Sequence, residues 1–167
     1  MLFFSDLLGL KISDQADNKP GYLEDIAIDL MVDEDYPSIA GVVIKSGKEK
    51  KYIASAHIES FSNQSVLLNK NANETIDEIP NDSGLIFLKE SVLDKQIVDL
   101  SGVRVVRVND LEFGMVKNKM CLVAIDIGKL GILRRLGLGF IFKMLKPELL
   151  EWKHVQLVGD KLQLSVG

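Results

Sequence analysis

Carboxylates are the residues of this sequence whose type and spacing come nearest to a chemical site. Five acidic residues lie between positions 25 and 35: Asp25, Asp29, Asp33, Glu34 and Asp35. Hard cations such as Mg²⁺ take carboxylate oxygens as ligands, so Asp29, Asp33 and Asp35 are candidate metal ligands. The run lacks the Asp-x-Asp-x-Asp-Gly spacing of a calcium loop. Because we expect Asp25 and Asp29 on the wet face of a strand and the others in a turn, a solvated acidic turn is the preferred interpretation.

The two histidines form the second candidate pair. His57 and His154 occupy equivalent positions in two matching segments of the chain, so a pair of imidazoles brought together across an interface could bind a metal or respond to pH. Neither has a cysteine partner or HExxH or HxH spacing. We therefore predict turn or capping roles for both.

Patterns that mark an enzyme are not found. Gly131, Gly137 and Gly139 do not follow a strand with the spacing of a phosphate-binding loop. A Ser-His-Asp triad has no distinctive support, because both histidines lie in matching turns. We expect no enzymatic activity and no cofactor.

The elements that position these residues come in two copies. Residues 92–113, VLDKQIVDLSGVRVVRVNDLEF, repeat the pattern of residues 7–28, LLGLKISDQADNKPGYLEDIAI, at a shift of 85 positions. The shift superposes two pairs of aspartates: Asp14 on Asp99, and Asp25 on Asp110. A carboxylate beside a tight turn commonly accepts backbone N–H bonds, so recurrence predicts scaffold roles for these four side chains.

The pattern of short apolar segments and turn-rich loops predicts a mainly β fold of two small antiparallel barrels or rolls. Ile39–Ile44 is apolar and rich in β-branched residues, and it predicts a strand buried on both faces, which Met120–Ile127 matches. The predicted boundaries are a first unit at 1–69, a polar linker at 70–84 and a second unit at 85–167. Within these units we expect one helical turn at Phe3–Leu8, an alternating strand at Tyr22–Met31 with an irregularity near Asp25, a turn at Ser55–Glu59 and a closing strand at residues 161–166. Units this small form marginal cores, so we expect them to pack on each other or on a partner.

The amino-acid composition limits the cellular compartments and the classes of partner that can be expected. The chain is 47% hydrophobic and 26% charged, as is ordinary for a soluble globular protein, and its net charge of −4 argues against non-specific nucleic-acid binding. A single cysteine, Cys121, excludes an intrachain disulfide and favours a reducing, cytoplasmic setting. The apolar start lacks the basic region of a signal peptide, and charges interrupt Leu130–Leu145, so no transmembrane helix is predicted.

The two copies differ most at residues 128–147, GKLGILRRLGLGFIFKMLKP, where the first copy has only a turn. The spacing predicts an amphipathic helix, or two short ones broken at Gly137 and Gly139. Its basic and aromatic residues are candidate partner contacts: Lys129, Arg134, Arg135, Phe140, Phe142 and Lys143. Packing within the chain or in a homodimer, docking on a partner domain, and peripheral contact with an anionic membrane all stay open.

This tandem pattern resembles the PRC-barrel fold, known from the photosynthetic reaction-centre H subunit and the ribosome maturation factor RimM. DKQIVDLSGVRVVRVND at residues 94–110, followed by VAIDIG and GILRRLG, is similar to the tandem PRC-barrel segment that precedes MgtE-type N-terminal and CBS domains. Those are cytosolic regulatory parts associated with magnesium transport. His57 and His154 depart from the pattern, because the family has an aspartate in that turn.

The resemblance implies two tandem PRC-barrel-like units that act as a non-catalytic regulatory or protein-interaction module, within or accessory to an MgtE/CBS-type protein. The implied partner is a helical MgtE-type or CBS domain, or a transporter; a homodimer is the alternative. A RimM-like ribosome adaptor and a direct Mg²⁺ sensor are the other hypotheses. The acidic charge disfavours the RNA hypothesis.

Overall fold

The computed structural model describes residues 1–33, 35–128 and 148–157. The predicted helical insertion, apart from Gly128, and the predicted closing strand at residues 161–166 lie outside the described residues.

The fold is mainly β, as predicted: strands make up 51% and helices 12% of the described residues, and the main sheet curls into a half-barrel. The described strands are β1 (Leu2–Phe3), β2 (Lys11–Ser13), β3 (Gly21–Asp29), β4 (Ser38–Ser46), β5 (Glu49–Ala54), β6 (Ile58–Phe61), β7 (Val66–Leu68), β8 (Ile76–Asp77), β9 (Leu85–Phe87), β10 (Gln96–Asp99), β11 (Arg104–Arg107), β12 (Asp110–Val116), β13 (Lys119–Asp126), β14 (Leu149–Glu151) and β15 (Val155–Leu157). The described helices are two single α-turns, α1 (Phe4–Leu7) and α2 (Leu88–Ser91), and three 3₁₀ turns at Ser55–His57, Ala72–Glu74 and Trp152–His154. In the described part of the chain, no helix has both the length and the apolar character to cross a membrane.

One large sheet joins the two units. Its strand order is β1-β12-β13-β4-β3-β2-β7-β6, with β14, β5, β8 and β9 attached at its sides, and a separate small sheet has the order β11-β10-β15. Most buried hydrophobic side chains of both copies, from Phe4 to Leu157, form one cluster, and Ala27, Val43 and Tyr52 form a second, small one. The expectation that the units pack on each other is confirmed.

The short segment that leads into each unit lies on the other unit. We call Leu2–Leu7 the N-terminal arm and Leu85–Ser91 the middle arm. In the N-terminal arm, β1 pairs with β12 of the second copy. In the middle arm, β9 pairs with β3 of the first copy. The two copies therefore exchange their leading arms.

Strand β3 departs in part from the predicted alternation. The irregularity expected near Asp25 is confirmed, because the pairing of β3 with β4 shifts between Leu23 and Asp25. The prediction that Asp25 lies on a wet face is wrong: its exposure is 7%, and Ala27 and Ile28 are both fully buried. The cause is the middle arm. Its strand β9 pairs with β3, and the Lys89 N–H of its helix α2 donates to the Asp25 carboxylate.

Other strands follow or extend the predictions. The run Gly41–Ile44 in β4 is buried throughout, which confirms the strand buried on both faces. Strand β6 lies where a turn followed by loop was expected, and it pairs with β7. Within residues 70–84, expected as a linker, β8 pairs with β5. Both additions are short and owe their conformation to the neighbouring strand.

Candidate interaction surface

Asp14 stabilises the first turn of the first unit. Its carboxylate accepts N–H bonds from Ala16 at 3.0 Å, Asn18 at 2.8 Å and Ala72 at 3.0 Å, and another from the Asn18 side-chain amide at 2.9 Å. These bonds favour the ionised form and lower the pKa of Asp14, that from Ala72 having the largest effect. The side chain thus ties the hairpin loop to the 3₁₀ turn that follows β7.

Asp99 occupies the equivalent turn of the second unit. It accepts bonds from the Ser101 hydroxyl at 2.6 Å, the N–H groups of Ser101 at 2.9 Å and Gly102 at 3.1 Å, and Arg104 Nε at 3.1 Å. The Ser101 hydroxyl makes the largest contribution to a pKa of about 2 for Asp99. This carboxylate is committed to the turn between β10 and β11.

Asp25 and Asp110 hold the exchanged arms. Asp25 accepts the N–H groups of Lys89 at 2.7 Å and Glu90 at 3.3 Å, at the start of α2, and that of Ile26 at 2.7 Å. Burial raises the pKa of Asp25 against the opposing effect of these bonds. Asp110 accepts the Ser5 N–H at 3.1 Å and the Ser5 hydroxyl at 2.5 Å, at the start of α1. The scaffold role predicted for the repeated aspartates is confirmed.

The acidic turn is organised by its own backbone. Asp29 accepts the Met31 N–H at 2.9 Å, and Asp33 accepts the N–H groups of Asp35 at 3.0 Å and Tyr36 at 3.1 Å. Within the described ranges, no group of three His, Cys, Asp or Glu side chains is arranged to hold a metal ion. The geometry gives Asp29 and Asp33 local turn bonds, and Asp35 is exposed.

The histidines lie in equivalent 3₁₀ turns, Ser55–His57 and Trp152–His154, as the repeat predicted. The carbonyl of His57 accepts the Asn69 N–H at 3.0 Å, and that of His154 accepts the Leu100 N–H at 2.8 Å. Both backbones connect neighbouring segments of their units, which agrees with the predicted turn roles.

Strand β11 has an edge that is open among the described strands. One edge pairs with β10, matching Val98 with Val105 and Ile97 with Val106, while among the described strands none pairs with the other edge. Ile97 is fully buried and Val106 packs on the core, so Val98 and Val105 point outward. Val105 is 61% exposed and Val103 87%. We call Val98, Val103, Val105 and Arg107, with the open edge of β11, the edge surface.

The first unit is different at the same place. The shift of 85 positions puts Ser13 at Val98, Pro20 at Val105 and Tyr22 at Arg107. There Tyr22 pairs with Lys11 of β2 on one side and with Lys45 of β4 on the other. At Tyr22 the first unit thus has a partner strand on both sides, and neither position that corresponds to Val98 or Val105 is a valine.

A break in the strand creates this difference. Strand β3 runs without interruption, whereas its counterpart is divided into β11 and β12 around Val108 and Asn109. The Asn109 side-chain amide donates to the Gly128 carbonyl at 2.6 Å. The pattern of residues 92–113 indicated one repeated hairpin, and the only signal for the open edge was valine opposite Ser13 and Pro20.

The described residues on either side of the predicted insertion lie close together, and one of them contacts β11. The Ile127 N–H donates to the Glu148 carbonyl at 3.0 Å, and Arg104 of β11 pairs with the Glu148 carboxylate at 3.3 Å. The six candidate partner contacts predicted in the insertion lie outside the described residues: Lys129, Arg134, Arg135, Phe140, Phe142 and Lys143.

Comparison of the chain with protein-family models gives no match, and comparison with curated protein sequences gives none either.

Proposed function

We propose that this chain is a non-catalytic protein-interaction module of two PRC-barrel-like units, and that its contact site is the edge surface of the second unit. The observation that carries the proposal is the difference between the units at β11. In the first unit Tyr22 pairs with strands on both sides, and Ser13 and Pro20 stand at the positions of the two outward valines. Strand β11 pairs with β10 alone among the described strands and presents exposed valines. An exposed apolar edge strand is a template for pairing with another chain.

The aspartates support a binding role over a catalytic one. The carboxylates of Asp14, Asp25, Asp99 and Asp110 accept backbone N–H bonds at turns or arm starts. A general acid or base must instead reach the reacting group of a substrate. These four side chains are engaged by the scaffold.

Sequence resemblance suggests the partner. The stretch most similar to the magnesium-transport-associated PRC-barrel segment, residues 94–110, contains both β10 and β11 of the edge surface. We therefore propose that the module binds helical MgtE-type and CBS domains in the cytoplasm and has a regulatory role there. A direct Mg²⁺ sensor at the acidic turn is the less favoured alternative, because Asp33 accepts two backbone N–H bonds within its own turn.

The test is calorimetric titration of the chain with the recombinant helical and CBS region of an MgtE-type transporter. Val105→Lys introduces a charge into the edge surface at a side chain that is 61% exposed, so we expect at least a ten-fold loss of affinity. Tyr22→Lys is the matched control, since Tyr22 is 51% exposed on the first unit and its variant should bind like the unmodified chain. Absence of binding, or equal binding by the Val105→Lys chain, would contradict the proposal.

A further inference from the structure

We infer that the edge surface takes an extended partner segment of alternating apolar and acidic residues, which adds to β11 as a further strand. The inference rests on the proposed function and specifies the chemistry of the partner.

The backbone of β11 provides the pairing groups. Strand β11 pairs with β10 alone among the described strands, so the N–H and C=O groups along its other edge face away from the small sheet. A segment that adds to such an edge gains main-chain hydrogen bonds whatever its sequence. Its side chains then decide which segment fits.

The outward side chains require an apolar residue at one position of the partner. Val98 and Val105 are direct cross-strand partners and form an apolar pair on the outer face of the small sheet. A strand added beside β11 would place one of its own outward side chains next to Val105, extending that pair into a row of three. A β-branched or aromatic residue suits this position, because it packs well on a pleated surface.

The charge of β11 calls for acidic residues at the neighbouring outward position. The Arg107 side chain is 63% exposed and lies 3.7 Å from the Asp94 carboxylate. It lies two residues from Val105 and therefore on the same face of the strand. Arg104 points to the opposite face, where Asp99 and Glu148 already share its charge. An acidic side chain two positions along the partner strand would meet Arg107.

The same charges disfavour a second copy of this chain as the occupant. Pairing of β11 with its own copy puts the Arg107 side chains of both chains on the same face of the extended sheet. Like charges placed close together across paired strands destabilise the pairing. A heterologous acidic segment meets no such repulsion.

The experiment uses the full chain and two labelled synthetic peptides in fluorescence anisotropy: one alternating valine with glutamate, the other alternating valine with lysine. We expect the glutamate peptide to bind at least ten-fold more tightly than the lysine peptide. Arg107→Glu should invert this preference. Lys48→Glu, an exposed charge reversal on the first unit, should leave it unchanged. Hydrogen exchange should show slower exchange at residues 104–107 when the glutamate peptide is bound.

Several results would overturn the inference. Equal binding of both peptides would show that Arg107 does not select acidic residues in the partner. Dimerisation that Val105→Lys abolishes would assign the edge to a second copy. Residues 129–147 can be replaced by a Ser-Gly-Lys turn. If the peptides bind only after this replacement, the occupant of the β11 edge is the chain's own segment 129–147. If the helical and CBS region binds through Val105 while neither peptide binds, this inference alone is wrong; if nothing binds, the proposed function is wrong as well.

Discussion

At the residue scale, four repeated aspartates stabilise the turns and the starts of the arms by accepting backbone N–H bonds. Their recurrence at a shift of 85 positions was enough to predict that they belong to the scaffold. The N–H groups that donate hydrogen bonds to these carboxylates could not be predicted in the same way. Asp25 binds Lys89 and Glu90, and nothing near position 25 indicates that the chain returns there. Its burial was missed for the same reason.

The pKa of Asp99 predicts an acid-dependent loss of stability. Its pKa is about 2 in the folded chain against an ordinary value of 3.8, so folding favours the ionised carboxylate. This contribution is complete above pH of about 4 and is lost as the pH falls toward about 2. In urea unfolding at a series of pH values, the free energy of unfolding should fall across this range, and by less in the Asp99→Asn chain.

A control for the Asp99 measurement is Asp17→Asn. Asp17 has an exposed carboxylate 3.6 Å from Lys19 and accepts no backbone N–H bond in the described structure. Its variant should retain the acid-dependent fall of the unmodified chain. If Asp99→Asn leaves the pH profile unchanged as well, the turn carboxylate does not contribute as described.

At the scale of the elements, the two exchanged arms join the units, because each arm pairs with a strand of the other unit. Helix α1 has four residues, too few to persist without tertiary contacts. Phe4 is fully buried and its ring meets Phe113 of the second unit edge to face at 6.1 Å. The sequence predicted a helical turn here correctly. It could not predict which unit the turn covers, because the apolar pattern is the same whether an arm folds on its own unit or on the other one.

Removal of the carboxylate that holds the N-terminal arm should loosen it. Asp110→Ala leaves the Ser5 N–H and hydroxyl without their partner, which predicts a loss of about 1–3 kcal/mol in the free energy of unfolding. Ser5→Ala removes only the hydroxyl bond and should lose roughly 0.5–1.5 kcal/mol. Denaturant unfolding gives both values, and hydrogen exchange should accelerate at residues 2–8 in Asp110→Ala. An unchanged exchange rate there would contradict the capping role.

The two units form one body at the scale of the whole molecule. Their shared hydrophobic cluster, the two arms and the contact between β4 and β13 all cross from one unit to the other. Repetition in the sequence predicted two units, and their small size predicted that they pack together. The asymmetry at β11 had to come from the structure, since a divided strand and a continuous one have the same apolar pattern.

The shared core predicts that the chain tolerates a break between its units. Residues 1–80 and 81–167, expressed together as separate polypeptides, should associate in a one-to-one complex, because the contacts that join the units do not need the peptide bond between Pro80 and Asn81. Size-exclusion chromatography with light scattering measures the complex. Combining Asp25→Ala in one fragment with Asp110→Ala in the other should weaken it, and two independent monomers would contradict the interlocked arrangement.

Hydrogen exchange of the unmodified chain tests most directly the claim that the second unit offers an open strand edge. The comparison is between residues 106–107 of β11 and the equivalent residues of the first unit, Gly21 and Tyr22, which both pair with β2, Tyr22 pairing with β4 as well. The open edge predicts rapid exchange for part of the β11 amides and protection throughout Gly21–Tyr22. Equal protection of the two stretches would show that the edge of β11 is covered, and would contradict the proposed contact site.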